Sequence, residues 1–131
     1  LPIDVSARQK SPWLEQDLRS LGYRVEAIHD WPDLPRVSNA NEGLGVLYVM
    51  EGASLGGQLI GRWLASELGI GHSNGGRFFS SYGSRIGEMW RAFLDVLEPA
   101  AQLQSNAAVI QQSALNTFQC FNASLMQLLS V

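Results

Sequence analysis

Residues Leu44–Leu68 read LGVLYVMEGASLGGQLIGRWLASEL. The stretch is strongly apolar and helix-compatible, yet glycine stands at positions 45, 52, 56, 57 and 61. Each helical glycine costs about 0.5–1 kcal/mol against alanine. Five of them therefore cost on the order of several kcal/mol, comparable with the net stability of a whole domain. A helix that keeps them gains something alanine cannot supply. Gly52 and Gly56 are four apart and share one face, which presents a strip of bare backbone to whatever lies against it. Three objects suit such a strip. One is a second helix in a small-xxx-small contact. Another is a membrane partner helix, which Glu51, Gln58 and Arg62 argue against. The third is a large flat ligand pressed on a helix kinked at the Gly56-Gly57 pair. Spacing alone leaves the first and third open.

Working outward, Asn39 followed by Glu42 has the form of a capping box and starts this helix at Ser38 or Asn39; Gly69 and Gly71 stop it. Upstream, Ser11 as N-cap, Pro12 at the first helical position and Gly22 as a C′ glycine delimit a helix whose stripe is Trp13, Leu14, Leu18 and Leu21. Pro32 and Pro35 mark the connection between the two as irregular. Val25–Ile28 has the composition of a short strand, with no partner strand nearby. Downstream, Ile86, Met89, Trp90, Phe93, Leu94 and Leu97 predict a helix over Ser80–Glu98, ended by Pro99. A last helix is predicted over Ser105–Leu129, with Ile110, Ala114, Phe118, Phe121, Leu125 and Leu128 on one side. The fold class is all-α, a helical bundle with short loops.

Composition bounds the rest. The 131 residues suit one domain, and a 46% hydrophobic content with a net charge of −3 excludes disorder. One cysteine, Cys120, excludes a disulfide scaffold and fits a reducing, cytoplasmic compartment. Twelve acids outnumber eight Arg and one Lys, so nucleic-acid binding is not indicated. No apolar run reaches membrane-spanning length.

The stretch Glu51-Gly52-Ala53-Ser54-Leu55-Gly56-Gly57-Gln58, preceded by Leu47-Tyr48-Val49-Met50, resembles the distal helix of bacterial heme oxygenases. The likeness is greatest to those that supply biliverdin to bacterial phytochromes. Lys10-Ser11-Pro12 through Asp17-Leu18 and Leu21-Gly22 resembles the family's helix ahead of the linker. Phe78-Phe79, Tyr82-Gly83, Trp90 and Phe93-Leu94 resemble the block after the distal helix, and Phe118 onward the closing helix. The resemblance implies a heme oxygenase-like bundle with a kinked glycine-rich distal helix. It also implies oxidative cleavage of heme, at once substrate and cofactor, to biliverdin, CO and ferrous iron. O₂ and an external electron donor, a ferredoxin or a reductase, would be required, and a phytochrome would receive the product. Gly52 and Gly56 match the positions of close backbone approach, Gly57 supports the bend, and Ser54 is a candidate catalytic hydroxyl. A hydroxyl bonded back to the helix carbonyl four residues earlier is the plainer reading of Ser54. Tyr82 and Arg85 are candidate partners of the heme propionates and Phe118 a candidate pocket wall, with Phe79, Trp90 and Phe121 as further aromatics. Animal members carry a distal Asp where this chain has Ala53.

The family's iron-ligating histidine lies on a first helix upstream of the block matching Lys10–Gly22. This chain contains only His29 and His72, both in predicted loops, and the role transfers to neither. Residues 1–131 are therefore expected to form a single helical domain, the C-terminal two-thirds of a heme oxygenase-like domain without its proximal helix, and to bind heme poorly. The competing expectation is a non-catalytic heme-binding or protein-interaction module.

Overall fold

The computed structural model describes residues 3–28 and 31–130. Five α-helices account for the fold: α1 (Ser11–Ser20), α2 (Ala40–Leu68), α3 (Arg77–Ser80), α4 (Ile86–Ala100) and α5 (Gln104–Leu129). Short 3-10 turns lie at Ser6–Arg8, Val25–Ala27 and Gly83–Arg85, and no strand occurs among the described residues. Val25–Ala27 is thus a turn, because an isolated extended segment has no ladder to satisfy its backbone groups.

The helix ends follow local chemistry. The α2 N-terminus carries the expected capping box: the Glu42 amide donates to Asn39 Oδ1 at 2.9 Å. The Glu42 carboxylate in turn accepts from Asn39 Nδ2 at 2.9 Å and from the Ser38 hydroxyl at 2.8 Å, so the reciprocal bond comes from the Asn39 side chain and not from its backbone. Gly22, at φ +90°, closes α1 as a Schellman turn. Tyr23 N donates to Leu18 O at 2.9 Å and Gly22 N to Arg19 O at 3.1 Å. Ser11, expected as the cap, is instead the first helical residue, behind Lys10. The helix predicted over Ser80–Glu98 is divided: α3 ends at Ser81, with φ +49° and ψ −123°, and α4 begins only at Ile86, where the apolar repeat itself begins. Pro99 lies within α4 rather than ending it. Its ring removes one amide, but Ala101 N still reaches Leu97 O and Gln102 N still reaches Pro99 O, so the last turn persists.

The residues cluster into two compact units. The first comprises residues 31–52 and 92–130, the second residues 3–28 and 53–91, so α2 and α4 each contribute to both.

In the first unit Leu44, Val49, Phe93 and Ile110 are buried. Here α5 crosses α2 at Gly45, where a Cβ would stand 2.5 Å from Ile110 O, 2.5 Å from Ser113 Cβ and 2.9 Å from Ala114 N. The Ser113 hydroxyl donates to Glu42 O at 2.6 Å, and Thr117 Oγ1 to Ser113 O at 2.8 Å. This close crossing turns Ile110, Ser113 and Thr117 inward. Phe118, Phe121, Leu125 and Leu128, predicted as the covered stripe of the last helix, are exposed. Backbone proximity at a glycine selects small side chains, so the apolar stripe is rotated away from the crossing.

In the second unit Ile86 and Met89 are buried together with an unusual set of polar groups, Arg8, Lys10, Asp17, Ser54 and Ser81. Asp17 caps α3 from α1: its carboxylate accepts from Arg77 N at 2.7 Å and Phe78 N at 2.8 Å. Arg8 donates to Met89 O at 3.1 Å. Burial of these charges is tolerable because each meets backbone or side-chain partners.

Candidate functional site

The five glycines of α2 separate into two kinds. Gly45 is consumed by the α5 crossing. Gly57 and Gly61 lie against Phe79 at ordinary contact distances, 3.7 and 3.5 Å from the place a Cβ would take. Gly52 and Gly56 have nothing within 4 Å of that place. The helix–helix explanation therefore holds at Gly45, while at Gly52 and Gly56 no described residue supplies such a contact. Those two positions leave helical backbone bare toward open space, where alanine would be the better helix former.

What surrounds the bare strip is apolar. Tyr48, Leu55, Leu59 and Trp63 follow the same side of α2 as Gly52 and Gly56 at three- and four-residue spacing, and each is at least a third exposed. The helix runs unbroken through Gly56 and Gly57 from Ala40 to Leu68. A flat, mostly apolar object can therefore approach the backbone at two successive turns, flanked by hydrocarbon and aromatic side chains.

Ser54 does not share this face. Two residues along a helix rotate the side chain by about 200°, to the far side. There it is buried, and its hydroxyl accepts from Ser81 Oγ at 3.0 Å. Ser54 is thus joined to the segment after α3, a partner the sequence reading did not foresee. Ser81 holds a backbone conformation that L-residues rarely adopt, and Arg77 Nη1 donates to its carbonyl at 2.7 Å.

Tyr82 follows on that same segment. Its hydroxyl accepts from Lys10 Nζ at 3.0 Å, the Lys10 ammonium lies 5.0 Å from its ring centroid, and Trp13 meets the ring edge-on at 5.5 Å. Arg85 is exposed, paired with Glu88 at 3.3 Å and 3.7 Å from Met89 Sδ. Tyr82 and Arg85 line one cavity of about 370 Å³ in the second unit. The segment that carries them packs on the side of α2 turned away from Gly56, so the structure unites these two residues without bringing them onto the glycine face. Phe118 belongs to the first unit, on α5, and is 54% exposed. Cys120 and Phe121, also on α5, line an almost wholly apolar cavity of about 260 Å³ with Trp31, Leu34, Val46 and Met50.

Lys10, Asp17 and Ser81 organise this side of the second unit and were not singled out from sequence. Asp17 carried a readable signal. It stands four residues after Trp13 and four before Leu21, an acid on the apolar stripe of α1, which only a paired carboxylate can occupy. Nothing in the local pattern around Ser81 announces its conformation.

Of the two histidines, His72 is an exposed loop residue and His29 lies outside the described residues. Among the described residues no group of three or more His, Cys, Asp and Glu is placed to hold a metal ion. Nor is any helix among them long and apolar enough to cross a membrane.

The sequence that builds this all-α fold matches the heme oxygenase family model over residues 8–127. The chain belongs to the heme oxygenase family. It is 36% identical over 102 residues to a heme oxygenase of Xanthomonas campestris pv. campestris, an overlap of 77% of this chain and 56% of the relative. The chain therefore spans about half the length of that curated relative. No solved structure matches. The residues present fit one face of a heme. At Gly52 and Gly56 a Cβ would take up open space that a macrocycle could otherwise occupy, and the flanking side chains are apolar.

Proposed function

We propose that the whole protein is an enzyme that cleaves heme oxidatively to biliverdin, CO and ferrous iron. The observation that carries the reading is the bare strip at Gly52 and Gly56 in a member of this family. Bound heme supplies both the iron that activates O₂ and the ring that is opened, with electrons from an external ferredoxin or reductase. This chain's own contribution is steric and electrostatic. Gly52 and Gly56 leave space over the ring for O₂ and water and expose helix carbonyls that can hold that water. Leu55, Leu59 and Trp63 exclude bulk solvent from the ring edge. Gly57, against Phe79, lets the helix sit close to the segment after α3, and the Ser54–Ser81 hydroxyl pair fixes that seat. Ser54 thus acts on the glycine face through the helix that carries it. Tyr82 and Arg85, expected from the resemblance as propionate partners, lie off the glycine face and are given no role toward a ring seated there. Phe118 is proposed as apolar wall. The reading places the protein in the cytoplasm, with a bacterial phytochrome as a recipient of biliverdin.

The test is a hemin titration of the protein expressed from its whole reading frame, followed by ferredoxin and its reductase. A Soret band that forms saturably and then decays into biliverdin absorption is expected. Saturable binding without decay indicates a non-catalytic heme-binding module instead, and absence of saturable binding overturns both. Gly52→Leu, which places a branched side chain over the strip, is expected to abolish turnover; unchanged turnover removes the helix from the heme face.

A further inference from the structure

We propose that a cavity in the second unit, separate from the glycine strip, binds a small organic anion with an apolar body, a phosphate monoester or a carboxylate. The cavity measures about 430 Å³, within the range of small-molecule sites. Its polar lining is rich in N–H donors. Arg62 on α2 and His72 on the following loop contribute to it, and no carboxylate does. Neither residue makes an ion pair or hydrogen bond with another described residue. The Gln58 amide adds two further donors. Ser80 also lines the wall, but its hydroxyl hydrogen is given to Gly76 O at 3.1 Å, so it offers lone pairs and suits a phosphate or carboxyl hydroxyl rather than a bare oxyanion.

The body of the ligand is set by the floor, where Ile70, Phe79 and Ile86 lie. Gly61 keeps this floor open, since a side chain there would grow along Phe79 from 3.5 Å. An adjoining cavity of about 370 Å³ shares His72, Ser80 and Gly83 with the first and adds Arg77 and Arg85, again without a carboxylate. Arg77 is engaged with Ser81 O and the face of Trp13, and Arg85 with Glu88. Arg77 and Arg85 are thus already partnered, and contact with the anion falls to Arg62 and His72. In a chain of net charge −3, Arg62 brings a cation to a groove lined by no carboxylate, an arrangement that attracts anions. The Arg62 guanidinium binds an oxyanion by charge-assisted hydrogen bonds, the His72 imidazole adds an N–H donor, and the apolar floor discriminates an organic ester from free inorganic anions.

The proposal is independent of the heme reading, and its test contains no heme. Phenyl phosphate is titrated into the protein by calorimetry and followed in parallel by ¹H–¹⁵N correlation spectra. Saturable binding is expected, with a dissociation constant on the order of 1 mM. The amide signals of Gly61, Gly71 and Gly76 are expected to move. Arg62→Gln and His72→Asn are each expected to weaken binding about tenfold. Both residues are exposed, so the circular dichroism of the variants is expected to match the wild type. Benzoate in a parallel titration decides the head group: tighter phenyl phosphate assigns a phosphate ester, tighter benzoate a carboxylate. Absence of saturation, binding unaltered in both variants, or equal binding of neutral benzyl alcohol overturns the proposal.

Discussion

Replacing Gly45 by alanine is expected to invert the usual gain from filling a helical glycine. Alanine contributes about 1 kcal/mol of helix propensity. Against this, the new methyl would meet Ile110 O and Ser113 Cβ at 2.5 Å and Ala114 N at 2.9 Å. Two of those atoms are α5 backbone, so no side-chain rotation relieves the clash and α5 must move. Overpacking of this kind costs about 1–3 kcal/mol, and contact with backbone places it at the upper end. Moving α5 also stretches the 2.6 Å bond from the Ser113 hydroxyl to Glu42 O, worth about 1 kcal/mol. The net loss is about 2–3 kcal/mol, or roughly 10 °C in Tm for a chain of this size. Urea unfolding followed by circular dichroism measures it as a lower midpoint at unchanged slope. Gly52→Ala and Gly56→Ala, with nothing within 4 Å, are the controls and are expected to gain about 0.5–1 kcal/mol each. A Gly45→Ala protein as stable as the wild type, or a destabilised Gly52→Ala protein, would refute the division of the glycines into packed and open.

Three further outcomes are expected. Asp17→Ala strips two α3 amides of their acceptor in a buried setting and is expected to cost about 2–4 kcal/mol, read by urea unfolding with Trp13 fluorescence as a local probe. Ser81→Gly and Ser81→Ala both lose the bond to Ser54, but only glycine relieves the backbone at φ +49°. The glycine variant is therefore expected to be the more stable by about 1 kcal/mol in the same assay. Lys10→Met keeps the buried stem and deletes the bond to the Tyr82 hydroxyl. It is expected to cost about 1–2 kcal/mol by thermal unfolding, whereas Arg85→Met, at an exposed ion pair, is expected to change stability by less than about 0.5 kcal/mol.

The elements legible in the sequence are those fixed by nearby residues. Asn39 with Glu42, and Gly22 with Arg19 beside Tyr23 with Leu18, each specify a helix end through bonds spanning three to five residues, and both ends formed as the sequence implied. Ser11 was misread as a cap because Pro12 fits the second helical position as well as the first. The break between α3 and α4 was hidden. Its determinants are the backbone of Ser81 and Gly83, at φ +49° and +60°, and the Asp17 carboxylate, distant in sequence. The buried side of α5 was hidden for a similar reason. Hydrophobic spacing pointed to Phe118, Phe121 and Leu125, but a bare backbone at Gly45 admitted Ser113 instead. At the candidate site, the shared face of Gly52 and Gly56 followed from helix periodicity alone. That this face is open, while Gly57 and Gly61 are covered by Phe79, depends on a packing partner the local pattern does not name.

The exposed stripe of α5 has a practical consequence for hemin assays. Phe118, Phe121, Leu125, Met126 and Leu128 line up on one helix with 46–68% of each exposed. Hemin is a greasy planar solute that partitions onto such surfaces without stoichiometry. Absorbance changes in the proposed titration are therefore expected to sum a specific and a partitioning component, which separate by genetics rather than by curve fitting. A Leu125→Glu change suppresses the partitioning component and leaves the glycine strip untouched, whereas Gly52→Leu does the reverse. The difference between the wild-type and Gly52→Leu titrations is the occupancy of the strip, and the Leu125→Glu titration is expected to reproduce it.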